Sequence, residues 1–138
     1  MAYLLDTCAL SEFQKKLPSE KVINWLDAQP EAALFMSVVT IAEIQKGIAF
    51  LPVSRRRAQY QEWLEALIYR YDNRILPLSV NIARQWGELT GALEQKGRVL
   101  PLMDSLLAAT ALARRLTLVT RNTADFAGTG VTLLDIWE

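Results

Sequence analysis

The stretch Tyr3–Glu12, YLLDTCALSE, poses the question that decides the fold. Three apolar residues run straight into an acid, Asp6. Small polar residues follow, and a helical segment is expected from Leu10 to Lys16. An unbroken apolar run reads as a strand buried on both faces, as in a parallel sheet. A carboxylate at the end of such a strand is costly unless something pairs with it or binds it. The stretch therefore asks for a helix-covered parallel sheet and for a partner to Asp6.

Outward from there, strand-length apolar runs alternate with longer stretches of helical period. Strands are expected at Tyr3–Leu5, Ala33–Ser37, Arg74–Leu76, Thr117–Thr120 and Val131–Leu134. Helices are expected at Glu20–Ala28 behind a Ser19 cap, at Val39–Phe50 before Pro52, and at Ser54–Tyr69. Two more run from Ser79 to about Lys96, where Gly97 stops the helix, and from Asp104 to Arg115 after Pro101. Asn122–Phe126 reads as a turn or short helix. Strands that alternate with helices imply an α/β fold with a parallel sheet between helical layers. The 138 residues are the size of one ordinary domain, and no repeat or linker divides them, so residues 1–138 read as a single domain.

Composition excludes much chemistry. There is no histidine and only one cysteine, Cys8. Histidine acid–base pairs, Ser-His-Asp triads, His-ligated zinc and cysteine-rich metal sites are therefore ruled out. A single cysteine cannot form an intrachain disulfide and fits a reducing compartment. No apolar run is long enough to cross a bilayer, and the N-terminus does not read as a signal peptide. The expected location is cytoplasmic. The 15 basic and 15 acidic residues cancel, so net charge gives no hint of a nucleic-acid partner.

In an open parallel sheet, ligands bind beyond the carboxyl ends of the strands. Asp6 follows the first strand. Glu43 is expected in the first turn of the helix after the second. Asp104 opens the helix before the fourth, and Thr120, Arg121, Asn122 and Asp125 follow that strand. Each has an ordinary alternative. Asp6 and Asp104 have the character of helix caps, and Thr40–Glu43 has capping-box spacing. Asp125 suits a solvated loop, and Thr120 and Asn122 suit a turn. Separate caps, however, have no reason to share one edge of a sheet. Clustered carboxylates need a counter-charge, and oxygen donors suit a hard cation such as Mg²⁺ or Mn²⁺. Such a cation activates water and neutralises phosphate charge without histidine.

These residues also carry a family resemblance. LLDTCALSE resembles the opening of PIN-domain ribonucleases, an apolar run followed by D-T-N-V-L-S-E. SVVTIAEIQKGI is similar to their S-x-x-T-x-A-E-L-x-x-G motif. MDSLLAATALARRLTLVTRNTADF is similar to D-x-L-I-A-A-T-A followed by L-T-L-V-T-R-N-x-x-D-F, and Trp137 also fits. Nearly the whole chain is covered, with the three motifs in order. The resemblance is to VapC-type toxins of type II toxin–antitoxin pairs, including the FitB-like branch. It implies a PIN-like three-layer fold with about five short strands in the order 3-2-1-4-5. It also implies a Mg²⁺- or Mn²⁺-dependent endoribonuclease, with Asp6, Glu43, Asp104 and Asp125 as metal-binding and catalytic acids. Thr120 would organise the site. Cys8 stands where the family usually has Asn.

The implied partners are an RNA substrate and a VapB-type antitoxin with a DNA-binding N-terminal part. The antitoxin's C-terminal segment is expected to lie along the Ser54–Tyr69 helix and to reach the acids with a basic side chain. A homodimer is expected, since VINWL and WLEALIY hold more apolar residues than one helix face needs. Higher assembly would form on operator DNA through the antitoxin. No membrane partner is expected. Ten of the 15 basic residues are Arg, which suits phosphate. Arg55–Arg57, Arg98, Arg114, Arg115 and Arg121 are the candidate RNA contacts; Arg121, adjacent to the acids, leads, with Asn122 and Arg98 beside it as candidates. Two rival readings are a catalytically silent PIN-like binding module and a phospho-acceptor receiver-like domain. The second lacks the acidic pair at the first strand and a Lys beyond Lys96. A DxD phosphatase would need an acid where Cys8 stands.

Overall fold

The computed structural model describes all 138 residues. The strands are β1 (Tyr3–Leu5), β2 (Leu34–Ser37), β3 (Ile75–Leu76), β4 (Thr117–Val119) and β5 (Leu133–Leu134). They form one parallel sheet in the order β3-β2-β1-β4-β5. Successive side chains of a strand point to opposite faces, and both faces of β1 are buried: Leu4 packs into one core cluster and Leu5 into the other. Leu118 and Val119 of β4 divide in the same way.

Six α-helices cover the sheet: α1 (Thr7–Ser11), α2 (Glu20–Ala28), α3 (Val38–Phe50), α4 (Arg55–Tyr71), α5 (Val80–Gln95) and α6 (Leu102–Arg114). The cluster containing Leu5 takes in Leu10 of α1, Val22 of α2, Ile44 and Ile48 of α3, and Leu64 and Leu67 of α4. The cluster containing Leu4 takes in Leu89 and Leu93 of α5 and Leu107 and Ala108 of α6. The helical layers and the strand order are those expected. No helix is long and apolar enough to cross a membrane.

Three local expectations are corrected, each at a helix N-terminus. The first helix begins at Thr7 rather than Leu10, because the Asp6 carboxylate accepts the Ala9 N–H at 3.0 Å and starts it there. It gives way to a 3₁₀ turn at Glu12–Gln14 and does not reach Lys16. In α3 the cap is Ser37, whose Oγ accepts the Val39 N–H at 3.0 Å. The Thr40–Glu43 capping box therefore does not form, and Glu43 lies in the second turn. In α6 the N-cap position is Pro101, so Asp104 is not a cap but stands free in the first turn. The Ser19 and Ser79 caps form as expected.

Candidate active site

The parallel sheet brings Asp6, Glu43, Asp104 and the loop after β4 to its carboxyl edge. Each segment arrives with local support. Asp6 is fixed by its capping bond to Ala9. The neighbouring Thr7 Oγ1 donates to Glu43 Oε1 at 2.6 Å and ties α1 to α3. Trp86 Nε1 donates to Ser105 Oγ at 2.8 Å, and Ser105 Oγ donates to the Leu102 carbonyl at 2.7 Å; these bonds pin the turn that carries Asp104. Arg98 donates to the carbonyls of Asp125, at 2.8 Å, and Ala127, fastening the loop that carries Asp125.

The electrostatics link Asp104 to Glu43 and Asp125, and Cys8 to Asp6 and Glu43. Burial raises the carboxyl of Asp6 above the usual range, against the pull of the Thr120 hydroxyl, the Ala9 N–H and Cys8. Burial also raises Asp104, and the charges of Glu43 and Asp125 add to the effect. The Cys8 thiol is pushed up to about 11 by burial and by the charges of Asp6 and Glu43. It is a protonated, weakly polar neighbour to Asp6, with the Asn122 amide 3.9 Å from its sulfur. The molecule's two ion pairs, Lys15–Glu12 and Arg70–Glu31, lie elsewhere. None of Asp6, Glu43, Asp104 and Asp125 has a cationic partner.

No three acidic side chains converge closely enough to cage an ion outright. The donor set still fits a hard divalent cation. All four groups are carboxylates, burial raises two of them with no cation to offset it, and Mg²⁺ keeps several waters when one or two carboxylates hold it. The one buried side-chain oxygen without a hydrogen-bond partner, Thr40 Oγ1, lies three residues before Glu43 on α3.

The remaining candidates divide. Arg121 is exposed beside the cluster and stacks 5.9 Å from the Trp137 ring centre. Thr120 Oγ1 accepts the Asn122 N–H at 3.1 Å and shapes the turn after β4. The guanidinium of Arg98 is engaged by backbone carbonyls and acts as a loop tether. Arg57 Nη1 is tied to the Leu51 carbonyl at 3.3 Å. Two supports escaped the sequence reading. Thr7 had a signal in its position beside Asp6. Glu12 is buried and accepts the Ser19 N–H at 2.7 Å and Trp137 Nε1 at 3.2 Å; nothing in the sequence announced that pairing.

Comparison with known proteins agrees with this fold. A family model, "PIN domain", matches residues 3–130. Over 136 residues the chain is 33% identical to VapC ribonuclease Y4jK of Sinorhizobium fredii, covering 98% of this chain and 97% of that one. It is 30% identical to toxin FitB of Neisseria gonorrhoeae, covering 98% of both. The structure of FitAcB from Neisseria gonorrhoeae superposes with a TM-score of 0.91 at 30% identity, over 99% of each chain. That of VapBC2 from Rickettsia felis bound to a DNA fragment from their promoter gives 0.78 at 28% identity, over 97% of this chain and 98% of that one.

Proposed function

The chain belongs to the PIN-domain family, and from that premise we propose that it is a Mg²⁺- or Mn²⁺-dependent endoribonuclease, the toxin of a VapBC-type toxin–antitoxin pair. The observation that carries the reading is the acid edge of the sheet. Carboxylates from distant segments meet there: the charges of Glu43 and Asp125 act on Asp104, those of Asp6 and Glu43 act on Cys8, and none of the four has a cationic partner.

Asp6 and Asp104 would hold the cation most directly, with Glu43 and Asp125 acting directly or through water. Bound there, the cation supplies acidified water and charge neutralisation at a phosphodiester. The chain's own residues do the rest. The capping bond and Thr120 fix Asp6 at the strand end. Thr7 holds the Glu43 carboxylate toward β1. Arg98 holds the Asp125 loop in place. Arg121, exposed and steadied on Trp137, is placed to bind a phosphate flanking the scissile one.

The names of the relatives support the ribonuclease and toxin readings, and the complexes among the solved structures support a protein partner and assembly on DNA. The exposed apolar side chains of Phe50, Val53, Val80 and Val99 offer surface for the antitoxin or a second copy. The test is to express the chain alone and together with the protein encoded beside it. Growth arrest with metal-dependent RNA cleavage, relieved by a co-purifying neighbour, is the expected result. Harmless expression with no RNA cleavage overturns the proposal.

A further inference from the structure

We propose that Trp137 is a positioning residue for RNA: its ring holds the Arg121 guanidinium beside the acid edge, set to bind a phosphate next to the one cleaved. This rests on the ribonuclease reading and names what aims its phosphate contact. The sheet itself brings the two side chains together. β4 and β5 run parallel with Val119 opposite Leu134, and the Thr120 N–H donates to the Leu134 carbonyl at 3.1 Å. Two residues beyond that pair come Arg121 and Ile136, and Trp137 is next. On the other side of β4, the Asp6 N–H donates to the Val119 carbonyl at 3.2 Å. The neighbouring strands β1, β4 and β5 are thus followed by an acid, a cation and an indole, in that order.

The ring is fixed without help from Arg121. Ile136 is buried in the core cluster that contains Leu5, and Trp137 packs half-buried against it. The Trp137 N–H donates to Asp135 Oδ1 at 2.8 Å, and Trp137 Nε1 donates to Glu12 Oε2 at 3.2 Å. Glu12 is held in turn by the Ser19 N–H and by Lys15. Arg121, by contrast, is exposed and makes no ion pair, and its guanidinium lies 5.9 Å from the ring centre. Against burial and the charges of Asp6 and Glu43, the charge of Arg121 pulls the Cys8 thiol down, so it reaches the corner beside Asp6. The dependence therefore runs one way: the tail anchors the ring, and the ring steadies the arginine. A guanidinium lying on an aromatic face keeps its N–H groups free for a phosphate. Held in one place beforehand, it loses less rotamer freedom when the phosphate arrives.

The test uses the full chain with Trp137→Leu, Trp137→Phe, Arg121→Ala, and Trp137→Leu combined with Arg121→Ala. Leu and Phe both keep apolar bulk and both lose the bond to Glu12, but only Phe keeps a ring. Binding of a short fluorescent single-stranded RNA is measured in chelator over a range of salt, alongside cleavage kinetics in Mn²⁺ and circular dichroism. Arg121→Ala is expected to lower the slope of log affinity against log salt by about 0.7, for one lost single-strand phosphate contact. Trp137→Leu should bind about two- to fivefold more weakly, with KM rising more than kcat falls, and Trp137→Phe should recover most of that loss. In the Arg121→Ala background, Trp137→Leu should weaken binding no further, because the two act as a unit. Equal losses for Leu and Phe make Trp137 a tail anchor only and overturn the proposal. A Trp137→Leu loss that adds to that of Arg121→Ala means the ring meets RNA by itself and overturns it too, as does unchanged affinity in Arg121→Ala; each of these leaves the ribonuclease standing. A wild-type chain that neither binds nor cleaves RNA overturns both readings.

Discussion

Asp6 and Glu12 lie six residues apart, are only 6% and 2% exposed, and have opposite fates. Burial pushes the Glu12 carboxyl upward, but the Ser19 N–H, Lys15 and Trp137 Nε1 outweigh it, and the group ends below its ordinary range. At Asp6 burial prevails, and the group ends above it. Glu12 is a buried charge with its partners supplied by the chain: it staples the C-terminal tail and the approach to α2 onto the first turn. Asp6 is a buried carboxylate whose counter-charge the chain withholds; the half-buried Glu43 and Asp104 and the exposed Asp125 likewise have no cationic partner. We read burial with a cationic partner as structural, and burial without one at the ligand-binding edge of a parallel sheet as the mark of a site.

The largest effect expected from breaking this contrast is on activity. Asp104→Asn removes a charge with no structural partner. RNA cleavage in Mn²⁺ should fall by roughly two orders of magnitude or more while the circular dichroism spectrum stays unchanged. Retained cleavage would place Asp104 outside the site. Next comes stability. Glu12→Ala leaves the half-buried Ser19 N–H and Trp137 Nε1 without their acceptor and should cost about 1–3 kcal/mol in urea unfolding, with Glu12→Gln costing less. A loss near zero would remove Glu12 from its structural role.

The two carboxylates should also differ in the sign of their pH dependence. The folded value of Glu12 is depressed, so its stabilisation is present above the unfolded value of about 4.3 and is lost as pH falls through the folded one. The advantage of wild type over Glu12→Gln should therefore shrink in acid. The folded value of Asp104 is raised, so in chelator Asp104→Asn should be at least as stable as wild type at pH 7, and any gain should vanish as pH falls through that value. Melting temperatures across pH read both, and parallel trends would abolish the contrast. The smallest effect concerns Cys8. With its thiol pushed up to about 11, it should react with a disulfide reagent at pH 8 far more slowly than free cysteine, and Cys8→Asn should leave cleavage within a few-fold.

The layers of the fold were legible because the strands are short, apolar and separated by helical periods, with Ser19, Ser79 and Gly97 punctuating them. The strand order came from the family resemblance, not from periodicity. The first helix was misplaced because Thr7, Cys8 and Ala9 show no apolar period; its start is set by the bond from Asp6 to Ala9. Glu43 was placed one turn early because Ser37, still extended at φ −101°, takes the cap that Thr40 seemed to offer. The acid edge was legible as a list of strand-end acids, since topology alone gathers them. The Thr7–Glu43 bond was not, because it depends on packing between segments 36 residues apart.

The central claim is that the carboxylates at the sheet edge lack a counter-charge that a divalent cation supplies. Thermal unfolding with and without Mn²⁺ tests it most directly, for wild type, Asp6→Asn and Asp104→Asn. Asn keeps the capping ability of Asp at position 6. A saturating cation should raise the wild-type melting temperature by several degrees, reversibly with chelator, and should leave Asp6→Asn and Asp104→Asn almost unmoved. A wild-type protein indifferent to Mn²⁺ and Mg²⁺, or variants stabilised as much as wild type, would contradict the account.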